Sequence, residues 1–130
     1  AAAQPAQIYD RFVGMYEAFD PELRDRVVHV ARERAISLQV GVYVGLLGPS
    51  FETPAEIRML QLLGGDSVAM SVCEEVIGAR AAGMRVVGIS LITNMGCGIE
   101  GSNPTDLEVH DVGATRVDDF YQLLEGILAS

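Results

Sequence analysis

The chain has 130 residues, of which 49% are hydrophobic and 21% charged, a composition typical of a folded domain rather than a disordered segment. Its formal net charge of −9 argues against binding to nucleic acid or to an anionic membrane, because both partners require a basic face. All nine basic residues are arginines, which excludes a Schiff-base lysine and a P-loop lysine.

The first third of the chain predicts a helix followed by a buried strand. Residues 1–7 are mostly small and uncharged, and we expect residues 1–10 to form a flexible end or the stub of a longer segment. Asp20 and Pro21 supply an N-cap and a proline at the first helical position, which predicts a helix that runs to about Ile36. Residues 41–47 are nearly all apolar, as is typical of a strand buried on both faces.

The next segment carries alternating helix and strand signals. Residues 53–56 read Thr-Pro-Ala-Glu, a capping box that predicts a helix ending at the glycine pair 64–65. A second short strand is predicted at residues 67–70. Residues 71–74 read Ser-Val-Cys-Glu, a further capping-box pattern, and predict a helix that ends near Gly83.

The last segment predicts a third strand and a final helix. Residues 85–92 are rich in β-branched side chains and predict the strand. A glycine-rich loop follows at residues 94–104. Residues 105–108 read Thr-Asp-Leu-Glu, a third capping-box pattern, and open a helix predicted to reach about residue 128.

The order of these elements, a helix, β-α-β-α-β and a helix, predicts an α/β fold. Such alternation implies parallel strands joined by right-handed crossovers, and a parallel sheet needs helices on both faces. We therefore expect a three-layer α/β/α arrangement built on a mostly parallel sheet. A sheet of only three strands leaves an apolar edge open, and natural proteins cover such edges. We therefore expect the chain to be a piece of a larger domain or part of an assembly.

Chemically useful side chains follow each of the three predicted strands. The carboxyl ends of the strands are where open α/β sheets bind their ligands. An aromatic ring, a carboxylate, a thioether, hydroxyls and a carboxamide converge there, and this set suits a flat, hydrogen-bonding heterocycle beside a sugar and an anion. We call these side chains the edge residues: Phe51, Glu52, Met70, Ser71, Thr93 and Asn94.

Most edge residues also have an ordinary structural interpretation. Phe51 and Met70 are of types found more often in a core than against a ligand. Glu52 and Ser71 lie at predicted helix starts, where a carboxylate or a capping hydroxyl is favoured without any ligand. Asn94 is of a type common in turns. Their placement at successive strand ends is what favours a small-molecule site.

The cysteines, histidines and hydropathy favour a cytoplasmic setting with no metal centre and no membrane anchor. Cys73 and Cys97 lie far apart and have neither metal-ligand nor redox spacing. His29 and His110 are the only histidines, too few for a His-rich metal centre. No apolar run reaches the length of a bilayer span, and the first residues lack a signal pattern.

Several runs of the sequence resemble signatures of the trimeric purine nucleoside phosphorylases. The most specific run is Gly-Pro-Ser-Phe-Glu-Thr at residues 48–53, and the intervals to the other blocks fit without gaps. The resemblance implies that residues 11–130 are the C-terminal part of a single phosphorylase domain. The other matching blocks are Arg11-Phe12, Ala18-Phe19-Asp20, Ala55-Glu56 with Arg58, Met70-Ser71, Glu75-Val76 with Ala79-Arg80, and Ser90-Leu91-Ile92-Thr93-Asn94.

In that family, phosphate attacks the anomeric carbon of a nucleoside and releases the free base and pentose 1-phosphate. The resemblance implies a pentosyltransferase of purine salvage that acts on 6-oxopurine ribonucleosides or deoxyribonucleosides, such as inosine and guanosine. It implies no cofactor, since inorganic phosphate is a co-substrate. It also implies a homotrimer of full-length subunits, or a partner chain that supplies the N-terminal half.

The resemblance assigns base-binding roles to residues after the first and third predicted strands. Glu52 would accept hydrogen bonds from the N1 edge of a 6-oxopurine, and Asn94 would hydrogen-bond N7. Phe51 would flank the base, and Thr93 would support the base site beside Asn94. A relative that acts on methylthioadenosine is an alternative, although the pair of Glu52 and Asn94 favours 6-oxopurines.

The remaining implied roles concern the sugar and the phosphate. Met70 would pack under the ribose, Ser71 would contact phosphate, and Phe12 would reach into the site of a neighbouring subunit. Asp106 falls where the family commonly has a histidine near the ribose 5′-hydroxyl. The family's glycine-rich phosphate loop, with its arginine and histidine partners, has no counterpart here. We therefore expect little turnover from the isolated chain, and a catalytically inactive purine-binding or assembly module is a further alternative.

Overall fold

The computed structural model describes residues 12–129, so the expected flexible end at residues 1–10 lies outside the described residues. Within this range, helices alternate with short strands in the predicted order as far as residue 81. None of these helices is long and apolar enough to cross a membrane. The elements are α1 (Pro21–Glu33), β1 (Tyr43–Gly45), α2 (Pro54–Leu62), β2 (Ser67–Ala69), α3 (Cys73–Ala81), a 3₁₀ turn (Ile99–Gly101), α4 (Asp106–Thr115) and α5 (Val117–Ala129).

Strands β1 and β2 form a parallel pair. Tyr43 lies opposite Ser67, and Gly45 lies opposite Ala69. The N–H of Leu46 donates to the Ala69 carbonyl at 2.9 Å, so the pairing extends beyond the end of β1. Helix α2 connects the two strands, as parallel neighbours require, because a tight turn cannot join them. The predicted α/β class and the parallel arrangement are confirmed.

The predicted third strand over residues 85–92 does not join the sheet within the described residues. Its main chain meets the start of α1 instead: the N–H of Asp20 donates to the Val86 carbonyl at 2.7 Å, and Arg85 Nε donates to Asp20 Oδ2 at 2.5 Å. Hydrogen bonds from the Arg85 guanidinium hold the pKa of Asp20 well below its usual range. β-branched residues suit a pleated surface but do not supply the neighbouring strand, so this part of the prediction is wrong.

Helix α1 begins as predicted and ends earlier. Asp20 Oδ1 accepts a hydrogen bond from the N–H of Leu23 at 3.0 Å and so caps the first turn. The helix stops before the predicted residue because Ala35 adopts a φ of 53° and the N–H of Ile36 donates back to the Ala31 carbonyl at 2.9 Å. This Schellman-type end usually carries a glycine, so an alanine at that position provides no signal in the sequence.

The predicted final helix is two helices, α4 and α5, with a break at Arg116. The Thr115 hydroxyl donates to the Val112 carbonyl at 2.8 Å, and the N–H of Arg116 bonds to Gly113 instead, at 3.3 Å. The Thr115 side chain therefore competes with the main chain for the carbonyl that would have continued the helix. A capping pattern at the start of a helix cannot reveal such a break ten residues later.

The most deeply buried cluster lies between α1 and α5. Val30, Ala31 and Leu123 are 3%, 2% and 4% exposed. The two helices approach closely at Gly126, where an added Cβ would overlap Val30 Cγ1. The apolar side chains that pack around this cluster are Ile36, Leu38 and Ile127.

Replacing Gly126 by alanine is expected to destabilise the chain. The new methyl group would overlap Val30, which is buried and β-branched, so we expect the free energy of unfolding to fall by about 1–3 kcal/mol. Gly113→Ala in α4 is the matched control, because nothing lies within 4 Å of its added Cβ. There, helix propensity should raise stability by up to about 1 kcal/mol. Urea denaturation followed by circular dichroism measures both changes, and equal effects would contradict the close contact.

Candidate active site

Two carboxylates follow β1, and the structure separates their roles. Glu56 completes the predicted capping box of α2: its Oε2 accepts from the N–H of Thr53 at 2.7 Å, and the Thr53 hydroxyl accepts from the N–H of Glu56 at 3.3 Å. The bond from the Thr53 main chain, followed by that from its hydroxyl, lowers the pKa of Glu56. Glu52 is half-buried, and no hydrogen bond or ion pair within residues 12–129 uses its carboxylate. Glu56 therefore serves the helix start, and the oxygens of Glu52 are available to a ligand.

The chain after β1 is in direct contact with the chain after β2. Gly48 has a φ of 62°, and an added Cβ there would overlap the Met70 sulfur. Phe51 and Met70 are 44% and 51% exposed, so neither is a core residue in the described part of the chain. Both side chains present apolar surface in the described residues.

Ser71 lies just before α3 but does not cap it. The N-cap is Val72, whose φ is 78°, and no side chain caps the helix there. The capping-box prediction for residues 71–74 is wrong, because the chain enters the helix one residue later than that pattern requires. Ser71 instead contacts Tyr43, whose hydroxyl donates to the Ser71 carbonyl at 2.6 Å. Tyr43 is not among the predicted site residues. The sequence could have indicated it, because it is a tyrosine within an apolar run and a buried tyrosine hydroxyl needs a polar partner.

Thr93 and Asn94 are linked to each other. The Thr93 hydroxyl donates to Asn94 Oδ1 at 2.7 Å, and Asn94 Nδ2 donates to the Met95 carbonyl at 3.0 Å. Both side chains are half-buried. Since a carboxamide nitrogen carries two hydrogens, Asn94 can still donate one hydrogen bond to a ligand.

The loop that begins at Asn94 packs against the start of α2. An added Cβ at Gly98 would lie 2.8 Å from Pro54 Cβ, and one at Gly96 would lie 3.0 Å from Ile57 Cδ1. The connection from β1 to α2 therefore contacts the chain after β2, and the glycine-rich loop contacts the first turn of α2 itself. The loops that follow β2 and residue 93 thus both contact residues 48–57, although residues 85–92 do not pair with the sheet.

Phe12 and Asp106, the remaining predicted site residues, lie at the start of the described chain and at the start of α4. Phe12 is 80% exposed. Asp106 begins α4, directly after the predicted cap Thr105, whose hydroxyl accepts from the N–H of Glu108 at 3.3 Å. Asp106 lies 3.9 Å from His110 Nε2, and no hydrogen bond or ion pair within residues 12–129 joins it to an edge residue.

A concavity of about 280 Å³ lies between α2 and residues 97–99, and it contains no edge residue. It includes Arg58 and Cys97 among its lining. The edge residues therefore lie outside this concavity. Within residues 12–129, no three His, Cys, Asp or Glu side chains come together as ligands for a metal ion.

Known proteins match almost the whole chain. The phosphorylase superfamily matches residues 2–129. A purine nucleoside phosphorylase of Mycobacterium tuberculosis is 47% identical over 118 residues, which are 91% of this chain and 42% of that protein. Purine nucleoside phosphorylase 1 of Geobacillus stearothermophilus is 44% identical over 91% of this chain and 43% of its own length. The chain thus spans less than half the length of these relatives.

Solved structures agree with the sequence matches. Schistosoma purine nucleoside phosphorylase in complex with hypoxanthine superimposes with a TM-score of 0.88, covering 96% of this chain and 47% of that one at 37% identity. The Schistosoma mansoni enzyme in complex with inosine gives the same TM-score. The predicted fold class and the predicted resemblance are confirmed, and the chain belongs to the phosphorylase superfamily.

Proposed function

We propose that this chain supplies the purine-binding part of a purine nucleoside phosphorylase active site, with residues 11–130 forming the C-terminal part of a single domain. The reaction is phosphorolysis of 6-oxopurine nucleosides, such as inosine and guanosine, to the free base and pentose 1-phosphate. The observation that carries this proposal is the packing of the loops after β2 and after residue 93 against residues 48–57, with the Glu52 carboxylate unpaired and an Asn94 hydrogen available. Matched relatives named purine nucleoside phosphorylase support it.

The edge residues explain how the purine base would be stabilised as the glycosidic bond breaks. Breaking the glycosidic bond places negative charge on the purine, and a fixed donor at N7 stabilises that charge as it develops. The Thr93 hydroxyl donates to Asn94 Oδ1 and one Nδ2 hydrogen goes to the Met95 carbonyl, so the second Nδ2 hydrogen is left to donate. Glu52 accepts from N1–H of a 6-oxopurine, whereas a 6-aminopurine would place an unprotonated N1 against the carboxylate and leave both acceptors unsatisfied.

The sugar and phosphate involve the remaining predicted residues. In this proposal Met70 packs under the ribose, Phe51 flanks the base, and Ser71 contacts phosphate. Phe12 reaches a neighbouring subunit of a trimer, and Asp106 lies near the 5′-hydroxyl. An already charged phosphate needs no general base, and no cofactor takes part. The proposed activity belongs to purine salvage, and its proposed location is the cytoplasm.

The decisive experiment is phosphate-dependent release of hypoxanthine from inosine. We define the complemented enzyme as this chain joined to the part of the Mycobacterium tuberculosis relative that the match does not cover. The complemented enzyme is expected to release hypoxanthine only with phosphate, and the 130-residue chain alone is expected to release very little, because the family's phosphate loop is absent from it. The intact relative is the positive control.

Two outcomes would contradict this proposal. A complemented enzyme that unfolds cooperatively and binds hypoxanthine but releases none would identify a binding module instead. Faster turnover of methylthioadenosine than of inosine would identify the other phosphorylase activity. Normal turnover by the chain alone would overturn the expected dependence on the remaining part of the fold.

A further inference from the structure

The turn between β2 and α3 is held in an unusual conformation. Val72 has a φ of 78° and a ψ of −38°, in a region that β-branched residues rarely adopt, and the N-terminus of α3 has no side-chain cap. Such conformations persist only when the surrounding structure fixes them. The groups that fix this turn therefore also set the position of Ser71, the residue that precedes Val72.

One hydroxyl engages both main-chain polar groups of Ser71. Tyr43 Oη donates to the Ser71 carbonyl at 2.6 Å and accepts from the Ser71 N–H at 3.3 Å. A phenol can act as donor and acceptor at once, so a single atom satisfies the two groups. The Ser71 hydroxyl lies 3.5 Å from the same atom, beyond the usual range for a bond between hydroxyls, and is available to another partner.

The same face of β1 also supports the first residue of α3. Tyr43 and Gly45 are two residues apart in the strand and therefore lie on one face. An added Cβ at Gly45 would overlap Cys73 Sγ, so the start of α3 sits directly on the strand. The strand thus holds the turn on both sides of Val72, through Tyr43 before it and through Gly45 after it.

We propose that Tyr43 is a positioning residue for phosphate: by holding the main chain of Ser71 it directs the Ser71 hydroxyl toward the anion. This inference rests on the proposed function, since it assumes that Ser71 contacts phosphate. Tyr43 itself touches neither substrate. Its contribution should therefore be seen in the KM for phosphate and should pass through the Ser71 side chain.

The test is Tyr43→Phe in the complemented enzyme, which keeps the ring and removes the hydroxyl. The KM for phosphate is expected to rise by about tenfold, the change that corresponds to one hydrogen bond, while the KM for inosine changes by less than about twofold. Tyr121→Phe, at an exposed position of α5, is the matched control and should change neither constant. A purely structural role would lower thermal stability without separating the two KM values.

A double-mutant cycle with Ser71→Ala identifies the route of the effect. If Tyr43 acts through the Ser71 hydroxyl, Tyr43→Phe should add little to the phosphate KM of Ser71→Ala. The inference would be overturned if the two substitutions raised the phosphate KM by independent factors that multiply in the double variant. It would also be overturned if Tyr43→Phe changed both KM values equally or left the phosphate KM unchanged. Each of these results would leave the proposed function intact. An unsubstituted complemented enzyme that is folded yet inactive would overturn the proposed function, and this inference with it.

Discussion

Asn94→Ala in the complemented enzyme is expected to lower kcat for inosine phosphorolysis by about 10²–10³-fold, as removal of one fixed donor to a developing anion typically does. The KM for inosine should change much less, because N7 gains its negative charge only as the glycosidic bond breaks. An interaction that strengthens in the transition state affects kcat rather than binding. Steady-state kinetics with saturating phosphate measure both constants.

Asn103→Ala provides a control in the same loop. Asn103 is exposed, and its substitution should leave kcat unchanged. If Asn94→Ala changed only the KM, the carboxamide would be a ground-state contact and the proposed role at N7 would be wrong. A loss of similar size in Asn103→Ala would point instead to damage to the loop.

Glu52→Gln is expected to change which purine is accepted. The neutral amide loses a charged acceptor for N1–H, and kcat/KM for inosine should fall by about 10–10²-fold, as expected for one hydrogen bond to a charged group. Its nitrogen can donate to the unprotonated N1 of a 6-aminopurine, so kcat/KM for adenosine should rise or hold. The ratio of the two values is the measurement.

Glu56→Gln is the matched control for this substitution, because the two carboxylates lie four residues apart and only Glu52 is unpaired. Glu56 accepts from the main chain of Thr53, and its replacement acts on the start of α2. It should lower stability slightly and leave the ratio of inosine to adenosine unchanged. If Glu52→Gln lowered kcat/KM equally for inosine and adenosine, Glu52 would not be the residue that distinguishes the protonation of N1.

The features that the sequence predicts correctly depend on neighbouring residues. The caps at Asp20, Thr53 and Thr105 each form within three residues of chain, and the full capping box is present at Thr53, whereas at Thr105 only the bond to the side chain forms. The parallel pair of β1 and β2 follows from the helix between the strands. The loops after β2 and after residue 93 both pack against residues 48–57, as expected for connections at one edge of an α/β sheet.

The features that the sequence does not reveal depend on distant partners or on rare conformations. Residues 85–92 have the composition of a strand, but composition says nothing about a neighbour. Ser71 has the pattern of a cap, yet its main chain is held by Tyr43, which lies 28 residues away. Val72 and Ala35 adopt positive φ although neither is glycine, so the residue type at these positions does not indicate a turn.

The break at Arg116 divides the end of the chain into two units of different local stability. Helix α5 is anchored on α1 through Leu123 and Gly126, whereas α4 has no buried residue. Segments with few buried apolar contacts open at the smallest free-energy cost, and the break lets α4 open while α5 stays in place. Amide hydrogens of α4 should therefore exchange with solvent sooner than those of α5, and Asp106 belongs to the part of the chain that can rearrange without disturbing the core.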